Sequence, residues 1–141
     1  MDASPDQIIV RLAGVPCGKG RPRFVRQTGR VYTPAKTRSY EDALRSAAET
    51  EMVGRARLTG PVRVDVIACF PVPASWPRKK RADALSGALR PTTKPDADNL
   101  LKVLDAFDAV VWDDDKQVVF ASVEKVYGPD PSFRALIQEM V

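Results

Sequence analysis

The chain has 141 residues, 44% hydrophobic and 28% charged, with a net charge of +4; this is the profile of one globular domain with an ordinary hydrophobic core. It contains no histidine, which excludes Ser-His-Asp and Cys-His catalysis, nucleases with a histidine base and imidazole zinc sites, leaving carboxylates, lysine, hydroxyls or a bound metal. No run of about 18 apolar residues exists, so no membrane span is expected, and the polar, acidic start lacks a signal-peptide pattern, which places the protein in the cytoplasm.

In chain order, Ile8 to Ala13 reads as a first strand. Gly14, Pro16, Gly18 and Gly20 then mark a turn-rich basic loop around Cys17. Cys17 and Cys69 have no metal-ligand spacing, and a cytosolic chain favours two free thiols. Arg23 to Thr33 suggests a ribbon turning at Thr28-Gly29. Thr37 or Ser39 is a candidate cap for a helix reaching about Met52, because Tyr40, Ala43, Leu44, Ala47 and Ala48 keep helical spacing. Val62, Val64, Val66, Ala68 and Phe70 alternate with Arg63 and Asp65, the pattern of a strand with one apolar face, ended by Pro71, Pro73 and Pro77. Ala82 to Leu89 suits a short helix. A helix over Asn99 to about Ala109, capped by Asp98, would line Leu100, Val103, Leu104, Phe107 and Val111 on one face. Gln117 to Tyr127 and Phe133 to Met140 read as closing strands. Strands and helices mix without a regular βαβ beat, so the fold class is α+β: one domain over residues 1–141, with a mixed β-sheet packed by helices.

Charge is segregated along the chain. Between Gln7 and Tyr40 there is no acidic residue, while Arg11, Lys19, Arg21, Arg23, Arg26, Arg30, Lys36 and Arg38 fall there. A second basic stretch runs Arg78, Lys79, Lys80, Arg81, then Arg90 and Lys94. The segment from Asp96 to Asp115 is strongly acidic. A basic surface attracts a polyanion that a compact acidic pocket would repel; a divalent cation in the pocket reconciles the two.

The acidic segment opens with Lys94-Pro95-Asp96-Ala97-Asp98-Asn99-Leu100-Leu101-Lys102. If Asp96 to Asp98 are extended, their carboxylates point the same way. Neighbouring ionised carboxylates repel, and a hard cation such as Mg²⁺ relieves the repulsion. Lys102 lies one helical turn after Asp98, away from the apolar face, placed either to stabilise charge on a phosphate or simply to pair with Asp98 or Asp105. A third acidic group, Asp113-Asp114-Asp115, would complete a metal site if its turn returns to the same place; otherwise it is a solvated turn.

With these residues assembled, the chain resembles the RusA-type Holliday junction resolvases, a family often encoded by phages or prophages. The match runs through Lys94-Pro-Asp-Ala-Asp-Asn-Leu-Leu-Lys102, Asp105-Ala-Phe107 and Val110-Val-Trp-Asp-Asp-Asp-Lys-Gln-Val118, against a family pattern K-P-D-x-D-N-L-x-K, D-A-L and D-D-x-Q-V. Gly18-Lys-Gly-Arg-Pro-Arg-Phe24, Gly29-Arg-Val-Tyr-Thr-Pro34 and Lys36-Thr-Arg-Ser-Tyr40 form a second match. The resemblance implies a RusA-like fold and a homodimeric, magnesium-dependent endodeoxyribonuclease (with Mn²⁺ as the alternative ion). Such an enzyme resolves four-way DNA junctions by paired symmetric nicks in recombination and repair. It implies metal binding by Asp96, Asp98 and Asp115, with Asp114 beside them, and a catalytic role for Lys102 and the same aspartates. It implies DNA binding by Lys19, Arg21, Arg23, Arg26, Lys36 and Arg38. Three features depart from the family pattern: Lys102 and Asp105 are one residue closer, Asp108-Ala109 stands where Asn-Gly is usual, and Asp113 is extra. The D-D-x-Q spacing favours Asp114 and Asp115 over Asp113. Competing readings are a non-catalytic branched-DNA binder, a metal-dependent nuclease for flaps, forks or RNA, and a structural protein with an acidic turn.

Overall fold

The structure is a computed structural model that describes residues 7–20, 23–32 and 35–140, with backbone alone at 23–25, 31 and 32. Among the described residues, six strands and three α-helices follow in the order β1 (Ile8–Ala13), β2 (Arg23–Val25), β3 (Arg30–Tyr32), α1 (Ala35–Glu51), β4 (Val62–Phe70), α2 (Arg78–Ser86), α3 (Ala97–Lys102), β5 (Val118–Tyr127) and β6 (Ser132–Glu139). A four-stranded mixed sheet has the order β1-β6-β4-β5, and β2 and β3 form a separate antiparallel ribbon. The chain is thus one α+β domain with helices packed on a mixed sheet.

Strand pairing decides where the acidic segment goes. β6 is antiparallel to both β1 and β4, with Val10 opposite Ala135 and Val66 opposite Ala135 on its other side. β4 and β5 are parallel neighbours, Val66 opposite Val123. Parallel neighbours cannot be joined by a hairpin; the chain between them must cross over the sheet. That crossover, residues 71–117, carries α2, α3 and every aspartate of the expected site.

Alternation fixes which sheet face is buried. Val62, Val64, Val66, Ala68 and Phe70 point inward, as do Ile8 and Val10 on β1 and Phe133, Ala135 and Ile137 on β6. Leu44 and Ala48 of α1 and Met52 just after it close over them together with Val103, Leu104, Phe107, Val111 and Trp112 from the crossover. The apolar face expected for Leu100, Val103, Leu104, Phe107 and Val111 is therefore buried at all five positions. On the other side of β4, Asp65 receives Arg63 Nε at 2.8 Å and the Ser122 hydroxyl at 2.6 Å. These contacts, Arg63 first, hold the Asp65 carboxyl below its ordinary pKa. A depressed carboxyl contributes stability above its unfolded pKa and loses it as pH falls through the folded value. Asp65→Asn should therefore cost about 0.5–1 kcal/mol at pH 7, on the scale of a partly exposed ion pair. In urea titrations the difference from wild type should vanish as the pH falls below the carboxylate range.

Several expected elements are shifted. α1 starts at Ala35, so neither Thr37 nor Ser39 caps it; Thr37 is buried inside the first turns and its Oγ1 accepts the Gly20 N–H at 3.0 Å. α2 starts four residues before the expected Ala82, directly after Pro77, and Gly87 at φ +88° closes it. The expected helix from Asn99 to Ala109 is two pieces. Asp96 is the cap residue instead of Asp98, α3 ends at Lys102, and the chain tightens into a 3₁₀ turn over Val103–Phe107. Ala109 ends this run at φ +61°, a left-handed conformation that costs an L-residue roughly 1–2 kcal/mol. It occupies the second position of Asp108-Ala109, where the family pattern the sequence resembles usually has glycine. Ala109→Gly should raise stability by roughly 0.5 kcal/mol, the relieved strain being partly offset by the freer unfolded chain; a thermal melt reads it directly.

Candidate active site

The basic loop after β1 rests on the start of α3. A Cβ on Gly18 would lie 2.7 Å from the Pro95 Cβ and 3.1 Å from the Asn99 Cβ, so only glycine fits this approach. The Lys19 N–H donates to the Asn99 carbonyl at 3.0 Å. The two segments border a cleft of about 370 Å³ lined by Gly18, Lys19, Gly20, Lys94, Pro95, Asp96 and Asn99.

Asp96 is exposed at the N-cap of α3, its backbone extended and its side chain making no cap hydrogen bond. Asp98 does not continue the extended backbone of Asp96, the condition for parallel carboxylates, but sits in the first helical turn. Its Oδ2 lies 3.7 Å from Lys102 Nζ, both side chains mostly exposed. The pairing of Lys102 with Asp98, one of the two roles left open for it, is thus present.

The Asp113–Asp115 run divides by function. Asp113 faces Arg57 at 3.7 Å. Asp114 caps a 3₁₀ turn over Asp115–Gln117: its Oδ1 accepts the Lys116 N–H at 2.9 Å, and Gln117 Oε1 accepts the Asp114 N–H at 2.8 Å. Gln117 Nε2 also donates to the carbonyls of Leu58 and Gly60 at 2.8 and 3.1 Å. The D-D-x-Q spacing is thus a capping box tied to the chain leading into β4, and it leaves Asp115 to face the acids.

Asp115 Oδ1 accepts the indole N–H of fully buried Trp112 at 2.8 Å, and the Asp115 N–H donates to Asp108 Oδ1 at 3.0 Å. Burial of the carboxyl against the indole raises its pKa, and the Asp108 and Asp105 carboxylates add to the rise against the Trp112 bond. Asp105 in turn holds Lys19 Nζ at 2.6 Å, with Glu41 Oε1 at 3.4 Å. The strong Asp105 bond raises the Lys19 pKa despite burial. Asp105, Asp108 and Glu41 were not expected as site residues. The D-A-F match pointed to Asp105, but nothing in the sequence shows that α1 brings Glu41 there.

The structure therefore places Asp96 at the cap and Asp98 in the first turn of α3, and Asp115 near Asp105 and Asp108. Among the described residues, no three acidic or thiol side chains converge closely enough to ligate one ion. The donor chemistry nevertheless suits a hard divalent cation: all donors are carboxylate oxygens, and those around Asp115 repel one another. Of the residues expected to meet DNA, Lys36 and Arg38 are exposed on the first turns of α1 and Arg26 is exposed between β2 and β3. Arg21 lies outside the described residues, as does the side chain of Arg23. Lys19 is engaged by carboxylates.

Among the described residues no helix is long and apolar enough to cross a membrane. The sequence model of the family described as endodeoxyribonuclease RusA matches residues 13–138. The chain is also 37% identical over 140 residues to the uncharacterized protein YqaN of Bacillus subtilis (strain 168), covering 96% of this chain and 98% of that protein. The family match runs from the last residue of β1 into β6 and takes in the loop, α3 and the aspartate turn alike: the chain belongs to the RusA endodeoxyribonuclease family.

Proposed function

We propose that the protein is a cytoplasmic, homodimeric, Mg²⁺-dependent endonuclease that resolves four-way DNA junctions by paired nicks in recombination and repair. The observation that carries this reading is the set of carboxylates around Asp115, tied through the Asp105–Lys19 pair to a cleft edged by Lys19 and Lys94, in a chain of a DNA-cleaving family. Asp96, Asp98 and Asp115 would hold the ion, with Asp114 beside them and Mn²⁺ as an alternative. A bound divalent ion supplies Lewis-acid polarisation of the phosphodiester and a water of lowered pKa.

The chain's own residues supply the rest. Lys102, already near Asp98, would offset charge developing on the phosphate. Trp112 holds the Asp115 carboxylate in one orientation through its indole N–H. Arg26, Lys36 and Arg38, with Arg21 and Arg23, would bind the DNA backbone, giving affinity that falls steeply with salt. On α2, Arg78, Lys79, Lys80 and Arg81 are exposed and have no acidic partner among the described residues. They would extend the same backbone contact. Phosphate contacts select a branched substrate by shape more than by base identity. A two-fold dimer would place two sites symmetrically across a junction.

The test is a nicking assay on a mobile four-way junction, with and without Mg²⁺, for wild type and Asp98→Asn, beside flap, fork, linear duplex and RNA. Symmetric nicks on the junction, dependent on the ion and lost in Asp98→Asn, support the reading. Binding without nicking at any divalent concentration, or preferential cleavage of another substrate, overturns it.

A further inference from the structure

Lys19 belongs to the basic loop, and by charge alone it reads as a phosphate contact. Its surroundings are different. Its main chain is bonded to Asn99 and its neighbour Gly18 is packed against Pro95 and Asn99. Its ammonium lies 2.6 Å from Asp105 and 3.4 Å from Glu41, with the side chain only 25% exposed. The Glu41 Oε1 is itself buried and has no hydrogen-bond partner in good geometry, the ammonium being its nearby countercharge. The Asp105 carboxylate is near enough to help raise the Asp115 pKa, and Asp115 Oδ1 accepts the Trp112 indole N–H. One ammonium thus links three parts of the fold: α1 through Glu41, the turn after α3 through Asp105, and the loop that carries it.

We propose that Lys19 is a positioning residue of the acidic site, fixing Asp105 against Asp115, and not a DNA phosphate contact. The inference rests on the nuclease reading for its activity measurement alone. An ammonium neutralised by two carboxylates has little left to offer a phosphate, and reaching one would leave Glu41 and Asp105 uncompensated. Removing the ammonium frees Asp105 to move relative to Asp115, and a group misplaced by about 1 Å costs as much as a hundredfold in rate.

The test uses the full chain with Trp76→Phe, which leaves Trp112 as the sole indole and its emission as a reporter of the Asp115 contact. Lys19→Gln should keep metal-free junction affinity within about twofold and leave its salt slope unchanged. It should shift Trp112 emission and slow single-turnover nicking at saturating junction by about tenfold or more. Lys19→Arg, which still pairs with Asp105, should restore emission and most of the rate. Lys19→Gln added to Asp105→Asn should cost little beyond Asp105→Asn alone, since both act through one contact. The proposal is overturned if Lys19→Gln weakens binding and lowers the salt slope by about one unit while emission and saturated rate stay unchanged. Rate losses that multiply in the double variant overturn it as well. Should wild type fail to nick with any divalent ion, the nuclease reading falls, and the emission and binding measurements still decide the role of Lys19.

Discussion

Asp96→Asn is expected to bind a four-way junction as tightly as wild type while Mg²⁺-dependent nicking falls by at least about a hundredfold, beyond the usual cost of losing a metal's outer-shell partner. The substitution preserves shape and removes one charge from an exposed residue whose side chain makes no cap hydrogen bond. Its effect on stability should stay within about 0.5 kcal/mol, as for an ordinary surface change. Gel shifts without metal and nicking with metal, on the same preparations, separate the two quantities. Equal loss of binding and nicking with the fold intact would remove Asp96 from the proposed metal set. Asp115→Asn should lose nicking to a similar degree, but with a second signature. It removes a carboxylate crowded by Asp108 and Asp105, so the metal-free variant should melt no lower than wild type and gain less from added Mg²⁺.

Trp112→Ala should be the most damaging single change in stability. Trp112 is fully buried, packs edge-on against Phe107 with ring centroids 5.8 Å apart, and is bridged to Leu58 beside β4. Truncating a buried tryptophan costs about 3–5 kcal/mol, a large share of the roughly 5–15 kcal/mol that holds a domain together. Urea denaturation would show the loss. Trp112→Phe separates packing from hydrogen bonding. The core stays mostly filled, yet Asp115 Oδ1 loses its donor, so nicking should drop by more than the modest fall in stability explains. A phenylalanine variant with full activity would show that the indole N–H does not orient Asp115.

Much of this fold is written in two-residue alternation. Ile8 to Ala13 and Val62 to Phe70 are strands at the expected bounds because one face of each must be buried. The apolar stripe from Leu100 to Val111 was equally legible, since its spacing serves an α-helix and a 3₁₀ turn almost alike. For the same reason the spacing could not show where α3 ends. That depends on the left-handed turn at Ala109 and on packing of Val103 to Phe107 under α1. The site was legible as a set of residues through motif resemblance, and less so as geometry. Asp98 enters the helix because Asp96 takes the cap. Asp114 is absorbed by a capping box whose signature, an aspartate followed three residues later by glutamine, was visible in the D-D-x-Q spacing. Glu41 and Lys19 are 22 positions apart, and their meeting follows from how α1 lies against the crossover, a tertiary fact that no local pattern carries.

The missing side chain at Gly18 has a mechanical consequence. With no room for even a methyl group between loop and helix start, neither can shift alone, so a polyanion that draws the loop aside also tugs the first turn of α3. Amide exchange offers a direct view: the Lys19 and Leu100 protons, bonded to Asn99 and Asp96 respectively, should change their exchange rates together when a junction is captured.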